Sequence, residues 1–87
     1  MGLSSAQLRA ARALLRWSAL DLAKASRVGV ATIRRVETIE GKIPVTAANQ
    51  AALRAALEAA GVEFIDENGG GPGVRLRKPD RKKAPKQ

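Results

Sequence analysis

Arg34 and Arg35 stand side by side in SRVGVATIRRVE, residues 26–37. A guanidinium stays charged and presents its donors as a planar fork, which suits phosphate oxygens or the O6 and N7 edge of guanine. Adjacent arginines are also an ordinary solvated helix face, and residue type alone leaves both readings open. Nearby, Lys24, Arg27 and Lys42 add cations, and Thr32 and Thr38 add hydroxyls. Other chemistries have little to work with. The chain contains no His, Cys or Tyr, which removes the commonest general bases and the thiol nucleophile. No acid–base pair stands out, so the sequence predicts a binding protein and not an enzyme, with no small-molecule substrate. Disulfides are impossible, a zinc site would have to be built from carboxylates alone, and nothing points to a metal or a cofactor.

The distribution of charge favours a negative partner. Net charge is +8 over 87 residues. Residues 1–61 carry nine Lys/Arg against four Asp/Glu, residues 62–74 carry three acids and no base, and residues 75–87 carry seven bases against one acid. A basic body with a basic end is the electrostatic pattern of a polyanion binder. The apolar fraction is 45%, but much of it is Ala, so one small, thin core is expected and oligomerisation would help it. No apolar run approaches a membrane span, and residues 1–17 lack the uncharged stretch of a signal peptide. Both features predict a cytoplasmic protein.

Helical elements must position the arginines. Ser4 or Ser5 is placed to cap a first helix with Leu8, Ala11 and Leu15 on one stripe and Arg9, Arg12 and Arg16 on the other side. Trp17 is expected to close that helix against the core. Ser18, with Asp21 three residues on, opens a short second helix whose inward residues are Leu22 and Ala23. Arg27, Val28 and Gly29 read as a turn. A third helix is then expected over about residues 30–39, with Ile33 and Val36 inward and Ala31, Arg34, Arg35 and Thr38 sharing the opposite face. Gly41 and Pro44 mark a loop. Thr46 caps a fourth helix that runs to Ala60, and Gly61 takes the left-handed end. Beyond it the period changes to two: Val62 and Phe64 alternate with Glu63 and Ile65, and Val74 and Leu76 with Arg75 and Arg77. With ENGGGPG between, this reads as a β-hairpin.

Two short helices joined by a tight turn, the second apolar inward and basic outward, form a helix-turn-helix. Its spacing needs a small residue at Ala23, a turn at Arg27 and apolar anchors at Val28, Ile33 and Val36, and all five positions fit. WSALDLAKASRVGVATIRRVE resembles the Cro/phage-repressor type of helix-turn-helix, the xenobiotic-response-element family of bacterial regulators. Ser18, Asp21, Leu22 and Ala23 match the first part of that pattern, and Val28, Thr32, Ile33 and Glu37 the second. LRAAR (8–12) and EGKIP (40–44) resemble the family's first helix and its loop, so the likeness covers about residues 6–60. Three positions depart from it: Arg27 stands where a turn Gly is usual, Gly29 where a capping Ser is usual, and Ala19 where a Gln commonly reaches the DNA backbone.

The resemblance implies double-stranded DNA as the partner, with the third helix in the major groove. It places Val30, Ala31, Arg34, Arg35 and Thr38 against base edges, Val30 having the alternative of simply stapling the turn. Lys24, Arg27, Thr32 and Lys42 fall at phosphate-contacting positions, and Arg12 and Glu37 at a structural ion pair between the first and third helices. Arg9 and Arg16 read as surface charges. The whole is expected to be mainly α: a four-helix helix-turn-helix DNA-binding domain at 1–61, a C-terminal β-hairpin at 62–77, and a basic, disordered tail at 78–87. A lone hairpin is marginal in water. Val62, Phe64, Ile65, Val74 and Leu76 are therefore expected either to pack on the helices or to dimerise the chain. The predicted function is a homodimeric, sequence-specific transcription regulator. The alternative is an antitoxin-like module that docks on a toxin or on another regulator, and a nonspecific nucleoid-type binder is the third reading.

Overall fold

The computed structural model describes residues 2–66 and 69–77. Helices α1 (Ser5–Leu15), α2 (Ala19–Ser26), α3 (Val30–Val36) and α4 (Ala47–Ala59) are followed by strands β1 (Val62–Ile65) and β2 (Gly73–Leu76). The protein is small and mostly helical and ends in a two-stranded antiparallel hairpin, as its patterning predicts. The tail at 78–87, expected to be disordered, lies outside the described residues, as do residues 67 and 68 of the hairpin loop.

Local sequence explains most of the helix starts. The Ser4 hydroxyl accepts the Gln7 N–H, and the Gln7 side chain accepts the Ser4 N–H in return. Ser18 and Asp21 make the same reciprocal box at α2. Thr46 accepts the Asn49 N–H at α4. Each such cap satisfies a donor that the first helical turn leaves orphaned. Two helices end on arginines in the left-handed region, α1 at Arg16 (φ 59°) and α2 at Arg27 (φ 66°). Gly61, just past α4, has φ 111°, a conformation that is cheap for a residue without Cβ.

One apolar cluster unites the helices and the hairpin. Leu8, Leu22, Ile33, Val36, Leu53, Leu57 and Val62 are fully buried in it, and Trp17 packs against its edge. Leu3 and Ile43 join it from the chain's N-terminal segment and the loop after α3, where the Ile43 N–H donates to the Leu3 carbonyl.

The hairpin pairs within the chain, Val62 opposite Leu76 and Phe64 opposite Val74. It packs on the helices, so it belongs to the same unit as they do. Gln7 fixes its outer end by donating to the carbonyls of Ile65 and Gly73. Arg54 lies over the Phe64 ring at 5.1 Å. This corrects the expectation that Val62 and Phe64 offer a dimerisation surface: both side chains are buried in the chain's own core. Ile65 and Val74 are half-buried, and Leu76 is 51% exposed.

The α2 cap makes stability depend on pH. The Asp21 carboxyl is held below the usual carboxylate range, first because the Ser18 backbone N–H donates to it and second through the Ser18 hydroxyl. A folded-state value below the unfolded one, about 3.9, means the cap stabilises fully above that pH. The contribution is lost as pH falls through the lower, folded value. Thermal melts should show Asp21→Asn slightly less stable than the parent at pH 7. The difference should close as both are melted in increasingly acid buffer, and a gap that persists in strong acid would contradict this origin.

Candidate nucleic-acid interface

The turn between α2 and α3 is built by its own side chains. The buried Ser26 hydroxyl donates to the Leu22 carbonyl at 2.7 Å and accepts the Val28 N–H at 3.1 Å. The Arg27 N–H donates to the Ala23 carbonyl at 2.8 Å, which closes α2. Val28 then drops into the core and Gly29 opens α3 without a side-chain cap. Arg27 adopts the left-handed conformation itself (φ 66°), at a cost of about 1 kcal/mol relative to a Gly there.

Helix α3 has two faces. Ile33 and Val36 are fully buried, while Ala31, Arg34 and Arg35 are exposed. Thr32 is half-buried. Val30 is half-buried and packs against the core, so most of its apolar surface serves to staple the turn. The helix ends at Val36, three residues short of the expected end at Ile39. The Thr38 and Ile39 N–H groups donate three residues back, to the Arg35 and Val36 carbonyls, and the Thr38 hydroxyl adds a bond to the Arg35 carbonyl at 2.7 Å. Thr38 is therefore corrected from a residue of the outward helix face to part of the turn that closes α3.

That turn is held down by α1. Glu37 is nearly buried, and Arg12 forks onto it with Nε at 2.8 Å and Nη2 at 2.7 Å from the two carboxylate oxygens. The third Arg12 nitrogen donates to the Trp17 carbonyl at 2.8 Å. The Glu37 hydrogen bonds raise the Arg12 guanidinium above its ordinary value, so it stays charged. Arg9 and Ser5 add bonds to the Glu37 and Ile39 carbonyls. The pair expected from Arg12 and Glu37 is present. Arg9, read as a surface charge, instead ties α1 to the end of α3. Its spacing of three from Arg12 on α1 was the available signal, since residues at i and i+3 share a face.

The basic side chains fall into two groups. Arg12, Arg54 and Arg75 form ion pairs with Glu37, Glu58 and Glu63, while Arg9 and Arg77 donate to carbonyls. Arg16, Arg27, Arg34 and Arg35 are exposed and form no ion pair among the described residues. Lys24 is exposed on α2, one turn after Asp21, and lowers that carboxyl slightly by its charge. Lys42 is not on these elements. It pairs with Ser4 in an isolated bridge and lines a cleft of about 390 Å³ with Gln7 and Asp66.

Among the described residues, no group of His, Cys, Asp or Glu could hold a metal ion, and no helix is long and apolar enough to cross a membrane. No protein-family model matches the chain, and no curated protein matches it either.

Two stability changes follow from this geometry. Arg12→Ala leaves the Glu37 carboxylate buried without its partner and should cost on the order of 3 kcal/mol. That is a drop of more than about 10 °C in Tm for a domain of this size. Arg12→Lys, which keeps charge but loses the fork, should fall between that variant and the parent. Arg27→Gly should act in the opposite sense and stabilise by up to about 1 kcal/mol, because Gly takes a positive φ without steric cost. Calorimetry reads both, and a destabilised Arg27→Gly would mean that its side chain makes contacts worth more than the strain.

Proposed function

We propose that this protein is a sequence-specific regulator of transcription that binds double-stranded DNA as a homodimer, with α3 in the major groove. It is a binding protein, not an enzyme. The observation that carries this reading is the contrast between the two faces of α3. One face is anchored by Ile33 and Val36, and the other presents Ala31 and two arginines without ion-pair partners among the described residues.

In this reading Arg34 and Arg35 are the base readers, since each can fork onto guanine O6 and N7, and Ala31 suits a thymine methyl. Lys24, Arg27 and Thr32 flank the same turn and serve as phosphate contacts, which fix register without reading sequence. Thr38 has its hydroxyl committed to the Arg35 carbonyl, so base contact falls to the arginines. The net charge of +8 supplies the sequence-independent attraction. Two copies would read two half-sites related by the dimer's two-fold axis.

Selection from a randomised duplex pool, followed by titration of the selected sequence, tests the reading. Wild-type protein should enrich one palindromic sequence and bind it with a steep salt dependence. Arg34→Ala and Arg35→Ala should each cost about 1–3 kcal/mol and relax preference at one base position. Lys24→Ala should weaken binding to all duplexes alike and reduce the salt slope by about 1. Unchanged sequence preference in both arginine variants would sink the assignment of α3, and equal affinity for every duplex would leave a nonspecific binder.

A further inference from the structure

The cleft beside Lys42 takes none of its lining from α2, α3 or the turn between them. Its volume, about 390 Å³, lies at the small end of the range of about 300–1,000 Å³ that ligand pockets occupy. Three separate stretches of chain meet around it: the N-terminal residues with the first turn of α1, the loop after α3, and Asp66 and Pro72 on either side of the hairpin loop. The first two are joined by backbone, since the Ile43 N–H donates to the Leu3 carbonyl and the Ser5 N–H to the Gly41 carbonyl. Gln7 joins the third. Its buried side chain accepts the Ser4 N–H and donates to the Ile65 and Gly73 carbonyls. The frame of the cleft is thus set by the fold itself.

Opposite charges line this cleft without meeting. Neither Lys42 nor Asp66 forms an ion pair, with the other or with a third group, among the described residues. The lysine stem is seated. A Cβ on Gly2 would stand 2.9 Å from Lys42 Cδ and 3.4 Å from its Cγ and Cε, so the bare backbone of Gly2 is what makes room for it. Ser4 adds a donor, because its hydroxyl accepts the Gln7 N–H and still has its own proton to give. Gly41, Pro72 and the lysine stem complete the wall and offer no polar side-chain atom below the ammonium.

We propose that this cleft binds a free α-amino acid with an aliphatic side chain. The ligand carboxylate takes the Lys42 ammonium and the Ser4 hydroxyl, the ligand ammonium takes the Asp66 carboxylate, and the side chain lies against Pro72. A zwitterion has both its charges answered here. A simple anion would be repelled by Asp66 and a simple cation by Lys42. Charge-assisted hydrogen bonds at both ends hold the ligand. Lys42 and Asp66 are exposed, so binding is modest and weakens with salt. This site goes beyond the DNA reading and does not rest on it.

The common α-amino acids, titrated singly into the ¹⁵N-labelled full chain, test the proposal. At least one aliphatic member should move the amide resonances of Gly2, Gly41, Lys42 and Asp66 in a saturable way. Its N-acetyl and methyl ester derivatives, each lacking one charge, should bind about ten- to a hundredfold more weakly. Lys42→Met, which keeps an unbranched stem on Gly2, and Asp66→Asn should each lose affinity by a similar factor while keeping the parent's circular dichroism. No saturable shift with any amino acid, equal binding of either derivative to the wild-type chain, or undiminished binding in either variant would overturn the proposal. Duplex selection is read at Arg34 and Arg35, so either reading can fail alone.

Discussion

The arrangement of the helices turns on the fork between Arg12 and Glu37. Helix α3 has seven residues, well below the length at which a helix holds itself in water. Its N-terminal end enters through a turn with no side-chain cap at Gly29, so its orientation must come from tertiary contacts. Ile33 and Val36 fix which face is inward, but apolar packing alone is weakly directional. The bidentate pair adds direction. A nearly buried carboxylate tolerates its surroundings only while both oxygens are satisfied, and Arg12 satisfies them from a rigid helix while also holding the Trp17 carbonyl. With Arg9 and Ser5 on the next carbonyls, α1 grips the residues that end α3 and so sets the tilt of its outward face.

The same economy sorts the charges. Arginines on α1, α4 and the hairpin are drawn inward to carboxylates or carbonyls. Those at the α2–α3 corner are not. Arg27 bears strain where Gly would not, as does Arg16 at the end of α1, and both are exposed with no ion-pair partner among the described residues.

Local rules made much of this visible in the sequence. Ser4, Ser18 and Thr46 mark helix starts because each cap needs only residues three positions apart, and Ile33 and Val36 mark the inward face by spacing. What escaped was decided over long distances. The pattern Ala31, Arg34, Arg35, Thr38 continues the helical period past the point where α3 ends. Nothing local reveals that Glu37 is pulled toward α1 and that Thr38 turns back on Arg35. Arg9 looked like a solvated charge because its carbonyl partner lies 28 residues away. The alternation of Val62 and Phe64 correctly gave a strand with one apolar face, but period alone does not say whether helices or a second chain cover it. Leu3 and Ile43 joined the core through a backbone bond that no motif announces.

The shortness of α3 carries a further consequence in terms of information. Seven residues at 1.5 Å each make a rod about 10 Å long, which in the proposed pose spans about three base pairs at 3.4 Å apiece. Three fully specified pairs recur by chance about once in 60 base pairs, far too often to address a genome with 10⁶ or more competing positions. Two such readings held at a fixed spacing multiply their rarity. In the proposed pose, so brief a reading element would gain its selectivity from the geometry that joins two of them, and a small change in that geometry would alter the address more than any single contact could.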